Sequence, residues 1–299
     1  MTQLECNIRL HGSYALADLD RLLVALAPLD SLQAQTRVRI DLRDLERISA
    51  PSIAVLVSAL LDVQARGVLD ADSTIVAPRD QDVRRRLQAF DVLELLVAHP
   101  PQEDFERRKA RGSRPCRRFT GADEPGKVAK DLADAVAEVC QTDETAQHAM
   151  LFALTEIAQN VSDHAASRGG AVGTAEVTRG GAELEIAIAD HGVGIRRSLA
   201  RNRALAGITS DLSALRTAVT AGATARPNRP GHLGLGLYLT QLLLRDNGGA
   251  FIVRSGTARL ELGATPSEDY ELARMRGTLV IMRFRTDNPF SLEVILDAA

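Results

Sequence analysis

The chain has 299 residues, 45% hydrophobic and 25% charged, which is enough for two domains with separate cores and too apolar for a disordered protein. Aromatic residues make up only 3% and Trp is absent, so the cores must rest on Leu, Val, Ile and Ala. A net charge of -3 argues against a general polyanion binder. Cys6, Cys116 and Cys140 fit a reducing compartment without structural zinc, and no signal peptide or long apolar run is present, so a cytoplasmic protein is expected.

In chain order, NIRLHG predicts a short strand. ALADLDRLLVALAPL predicts a helix from the spacing of Leu16, Leu19, Leu22, Leu23, Leu26 and Leu29. RVRIDL reads as a strand, and PSIAVLVSALLDVQARG as a helix with Pro51 near its start and Gly67 at its end. STIVAP is a further strand, followed by the helix DQDVRRRLQAF and a last apolar piece, VLELLVA. This alternation predicts an α/β domain over residues 1–100. From His99 to about Pro125 the periodicity gives way to prolines and charges, so residues 101–124 read as a linker. Its basic run, Arg107, Arg108, Lys109, Arg111, Arg114, Arg117 and Arg118, has no interleaved aromatics and reads as solvated surface.

Beyond it, KVAKDLADAVAEVC and ETAQHAMLFALTEIAQNVSDHA predict two helices, and GTAEVTRG with LEIAIAD a hairpin around Gly180 and Gly181. A polar stretch rich in Ala and Arg leads to glycines near residue 231, a helix to about Asp246, and strands FIVRSG, ARLEL and LVIMRFR. The order predicts an α+β sandwich over residues 125–299, with helices on one face of a mixed sheet.

Chemistry-bearing residues recur in this second half. Glu156, Asn160 and His164 share one helical stripe, while Leu151, Leu154, Ile157 and Val161 form an apolar face. An Asn oxygen suits magnesium, and a nearby Glu can accept a proton, although a solvated polar face has the same spacing. Asp190 ends an apolar strand and is followed by Gly192 and Gly194: a carboxylate able to accept from an exocyclic amine, beside backbone that can approach a flat base. A plain turn is the alternative. Gly231, His232, Leu233, Gly234, Leu235 and Gly236 open a helix, where backbone N–H groups favour phosphate, as against a glycine loop with no ligand. Gly121 to Lys127 has P-loop spacing but continues with Val128 and lacks a preceding apolar strand, so it fails that motif.

Taken in order, these motifs, with Gly277-Thr278, resemble the GHKL ATPase fold (Bergerat fold) shared by gyrase, Hsp90, MutL, histidine kinases and anti-sigma serine kinases, over about residues 115–290. The resemblance implies that Asn160 binds Mg2+, that Asp190 contacts adenine, and that Gly192 and Gly194 shape the base pocket. It further implies that the 231–236 segment holds phosphate, that Thr278 lies near adenine, and that residues 195–230 form a mobile lid. His164 looks like the anti-sigma serine kinase and histidine kinase branches, and Glu156 stands where the serine kinase base is found. No dimerisation helix with a phosphoacceptor His is seen before this region and no transducer domain after it, which favours the serine kinase branch. His191 departs from the usual Asn.

Residues 5–98 resemble a STAS domain, the anti-sigma-factor antagonist fold, through IDLRDLERISAPSIAVLVSALLDVQARG and STIVAPRDQDVRRRLQAFDVLELL. The family's phosphoacceptor Ser falls on Pro51, flanked by Ser49, Ala50 and Ser52, so ordinary phosphorylation at that position is impossible. Ser52 is an alternative acceptor or a helix-capping Ser. The expected function is an ATP-binding, partner-switching signalling regulator with ATP and Mg2+ as ligands. It would phosphorylate a partner's Ser/Thr or hydrolyse ATP slowly, with Glu156 as catalytic base. The expected partner is a sigma-factor or STAS-type regulator or the chain's own STAS-like half, with no membrane and with homodimerisation open. The alternatives are a non-catalytic, nucleotide-dependent interaction switch and, with less behind it, a nucleic-acid remodelling ATPase.

Overall fold

The computed structural model describes residues 4–92, 111–121, 124–164, 167–220, 236–263 and 265–289, without the side chains of residues 162–164. Most of VLELLVA, residues 93–98, lies outside them. The N-terminal half is a parallel sheet, β1 (Glu5–Tyr14), β2 (Arg37–Ile48) and β3 (Thr74–Val76), with β2 central. Its helices are α1 (Leu19–Leu26), α2 (Ala50–Ala65) and α3 (Gln81–Ala89). β2 runs well past RVRIDL. Two extra residues relative to β1 shift the register, so Leu45 is buried out of step with Val38, Ile40 and Leu42, and the second shift returns Ile48 to their parity. That break hides the strand's second half from a strict two-residue alternation.

The second half is a seven-stranded sheet in the order β4 (Arg114–Phe119), β5 (Ala171–Thr178), β6 (Glu183–Asp190), β10 (Met275–Arg285), β7 (Ala250–Gly256), β8 (Ala258–Gly263), β9 (Ser267–Asp269). Every pairing in it is antiparallel, not mixed as expected. β4 lies inside the stretch that reads as linker. Its sequence, RPCRRF, alternates poorly because Arg114 is itself buried (4% exposed), bonded to Asp131 and Glu138. Arg111 and Arg118 donate to the carbonyls of Glu138 and Gly169, so these three arginines of the basic run serve the fold.

The helices of this half are α4 (Glu124–Val139), α5 (Glu144–His164), α6 (Ile195–Leu199), α7 (Asp211–Ala218) and α8 (Gly236–Asp246). Strand alternation divides the sheet into two apolar faces. Leu184, Ile186 and Ile188 of β6, Phe251 and Val253 of β7, and Val280, Met282 and Phe284 of β10 pack with α4, α5 and α8. The intervening Ala187, Ala189, Ile252, Leu279 and Ile281 join the N-terminal core instead. The sheet is therefore covered on both faces, where helices on one face were expected. The second cover is α2, whose residues Ala50 to Val63 are all buried. A helix apolar on every side needs partners on every side, and α2 finds them in both halves of the chain. Close approach depends on small residues. A Cβ on Gly169 would sit 2.5 Å from the Leu61 carbonyl carbon and 2.8 Å from the Asp62 Cα. Arg86 and Glu176 form an ion pair across the same junction, with Nη2 2.6 Å from Oε2, and Arg254 meets Asp20 at 2.6 Å.

Candidate functional site

Asp190 ends β6, paired on one side with Ala171 at the start of β5 and flanked on the other by β10. Only 1% of it is exposed. Its Oδ1 accepts the Gly192 N–H at 2.7 Å and its Oδ2 the Thr278 N–H at 3.1 Å. Burial pushes the carboxyl up to about 7, against the pull of these donors, of His191 and of the Thr278 hydroxyl. The group therefore titrates near neutrality while keeping lone pairs for a ligand's donor.

The surrounding backbone packs closely on it. β10 carries a bulge before Thr278, where Gly277 has φ +81°, and a Cβ there would fall on the Asp190 carbonyl oxygen and 2.7 Å from its Oδ1. Gly194, at φ +79°, caps α6, and a Cβ on it would meet the Ser255 Oγ at 2.8 Å. Ser255 Oγ accepts the Ile195 N–H at 3.0 Å and donates to the Gly277 carbonyl at 2.8 Å, locking the loop after β6 to the β10 bulge. Ser255, at the end of FIVRSG, carries no chemical pattern in the sequence; the pairing of β7 with β10 sets it opposite Thr278.

Glu156 is buried on α5 (5% exposed), and Asn160 one turn later is half-buried. Leu154, Ile157 and Val161 are buried in the core beneath, with Leu151 packed against it. A Cβ on Gly236, the first residue of α8, would lie 2.5 Å from the Glu156 Cβ, so only glycine lets the α8 N-terminus reach α5 there. The structure thus brings Glu156 to Gly236, and Asp190 to Gly192, Gly194 and Thr278. α5 ends at His164, and β5 begins at Ala171, the residue paired with Asp190. Gly231, His232, Leu233, Gly234 and Leu235 lie outside the described residues, as does the His164 side chain.

No protein-family model matches this chain, and no curated protein does.

Two expectations change. Residues 195–220 of the stretch expected to be a lid contain α6 and α7, and Leu215 of α7 is fully buried in the main core. Asp211 fixes α7 by accepting the Thr257 N–H at 3.0 Å and pairing with Arg196 at 2.9 Å. Residues 221–230 are outside the described set. At the start of α2, the capping residue is Ser49, whose Oγ accepts the Ser52 N–H at 3.4 Å, while Ser52 is fully buried one turn in. Ser52 is therefore closed to a phosphate donor in this arrangement.

Residues from the N-terminal half also reach the Asp190 region, which no local pattern announces. Asp30 Oδ1 lies 2.7 Å from His191 Nε2 and 3.4 Å from an Arg276 Nη1. Burial raises the Asp30 carboxyl, but His191 and Arg276 together bring it below its ordinary value. Among the described residues no three His, Cys, Asp or Glu side chains form a metal cluster, and no helix is long and apolar enough to cross a membrane.

Proposed function

We propose that the seven-stranded half is an ATP-binding domain of the GHKL type, fused to a STAS-like half, and that the chain is a cytoplasmic partner-switching regulator. The observation that carries this is Asp190: a buried carboxylate at a strand end, spanned by two backbone N–H groups and walled by glycine backbone. That arrangement suits a flat base whose exocyclic amine donates to the carboxylate. Thr278 stands beside the same carboxylate, and Gly194 lets the loop after β6 pack against Ser255 and Gly277.

Asn160 supplies an oxygen of the kind magnesium accepts, with phosphate and water completing the shell. Bound magnesium would offset phosphate charge. Glu156 would accept the proton of an attacking hydroxyl or water, and the backbone opening α8 at Gly236, beside Glu156, would receive phosphate. Because Ser52 is buried and Pro51 has no hydroxyl, phosphotransfer would go to a separate partner rather than to this chain's α2. The same burial supports a second reading, a switch that binds ATP without catalysis.

The test is binding and turnover of labelled Mg-ATP by wild type, Glu156→Ala and Asn160→Ala. Catalysis requires that Glu156→Ala lose phosphate release or transfer while keeping binding. A wild type that binds but neither hydrolyses nor transfers leaves the switch reading alone. Undiminished Mg-ATP binding by Asn160→Ala removes the magnesium assignment, and a wild type that binds no nucleotide ends the proposal.

A further inference from the structure

We propose that Asp30, in the N-terminal half, is a positioning residue for the base pocket around Asp190, so that this one contact between the two halves and nucleotide binding are energetically linked. This rests on the ATP-binding reading above.

The argument is one of connectivity. Asp190 is held by two amides, those of Gly192 and Thr278. His191 is the residue between Asp190 and Gly192, and Arg276 is separated from Thr278 only by Gly277. One oxygen of Asp30 meets both side chains, at 2.7 Å and 3.4 Å. A single carboxylate from the other half of the chain therefore braces both segments that hold Asp190. The backbone that carries Asp30 is anchored. It sits in the short 3-10 turn Ala27–Ser31, next to the fully buried Leu29. Arg66 donates to the carbonyls of Leu29 (2.5 Å) and Asp30 (3.3 Å) and pairs with Asp62 at 3.1 Å. Asp62 is buried on α2 and lies 3.9 Å from the same Arg276 guanidinium. The brace thus continues from the β10 bulge into the helix sandwiched between the halves.

Such a brace acts on ligand through geometry alone. With Asp30 removed, the Asp190 loop and the β10 bulge lose a common anchor, and the amides that set the carboxylate relax. By linkage, nucleotide must favour the Asp30 contact by the same factor by which that contact favours nucleotide.

The experiment compares full-length wild type, Asp30→Ala, Asp30→Glu and Arg86→Ala. Arg86→Ala removes an ion pair of the same junction on a different strand. Affinities for Mg-ATP and Mg-GTP are measured by calorimetry, and hydrogen exchange of the Gly192 and Thr278 amides is followed without nucleotide. Asp30→Ala is expected to weaken ATP by at least about 5-fold, the low end of coupling between linked sites. It should lower the ATP-to-GTP preference, since only the base end is disturbed, and speed exchange at both amides. Asp30→Glu should recover part of each effect, and Arg86→Ala should leave base preference and both amides unchanged. Unaltered ATP affinity and amide exchange in Asp30→Ala overturn the proposal, as does an equal loss in Arg86→Ala, which would mean general undocking. Failure of wild type to bind nucleotide instead ends the ATP-binding reading, and this inference with it.

Discussion

Gly169→Ala tests the packing of the two halves with a single methyl group. The added Cβ would come within 2.5 Å of the Leu61 carbonyl carbon and 2.8 Å of the Asp62 Cα. Ordinary carbon contacts are about 3.5–4.0 Å, so α2 and the loop before β5 must part by roughly 1 Å. The obstacle is helix backbone, which cannot rotate aside as a side chain would. Overpacking of a well-filled interior costs about 1–3 kcal/mol, and this site belongs at the upper end. No positive φ complicates the substitution. For a chain of 299 residues, with an unfolding entropy of about 2.1 cal/mol/K per residue, each kcal/mol lowers Tm by roughly 1.5–2 °C. The control is Gly126→Ala on the open side of α4, where a Cβ meets nothing within 4 Å and helix propensity favours Ala by about 1 kcal/mol. Differential scanning calorimetry should show a lower Tm for Gly169→Ala and an equal or higher one for Gly126→Ala. If Gly169→Ala melts at or above wild type, α2 does not lie against the sheet as described.

Two further predictions concern the Asp190 pocket. Its carboxyl titrates at about 7, and an amine donor favours the ionised form. Nucleotide affinity is therefore full above this pH and falls by up to about tenfold per unit below it, until the pKa of the bound state is reached. Calorimetric titrations across pH should show this dependence in wild type; its persistence in Asp190→Asn would assign it to another group. Gly277→Ala places a methyl on the Asp190 carbonyl at a φ of +81°, so the bulge must rearrange. A loss of nucleotide binding of at least about tenfold is expected, equivalent to about 1.4 kcal/mol, and undiminished binding by equilibrium dialysis would contradict the pocket geometry.

The sequence by itself determined most helices and strands, because their signals are local. The three-four spacing of Leu19 to Leu26 and the Gly180-Gly181 hairpin need no distant partner to be read. It also marked Asp190, Gly194 and Gly277 as unusual, since a carboxylate or glycine at a strand end constrains its own backbone. It did not disclose β4, whose Arg114 is buried only because Asp131 and Glu138 come from another element. Nor did local pattern show that the second sheet is antiparallel throughout, because strand direction is fixed by connections rather than by composition. The all-apolar surface of α2 was visible in PSIAVLVSALLDVQA, but what covers its two sides is a tertiary fact. The tertiary structure alone decided that α2 lies between two sheets, that Ser52 is closed off, and that Asp30 reaches His191 across 161 positions of chain. The physical reason is the same in each case: sequence periodicity reports which face an element buries, and only packing chooses the partner that buries it.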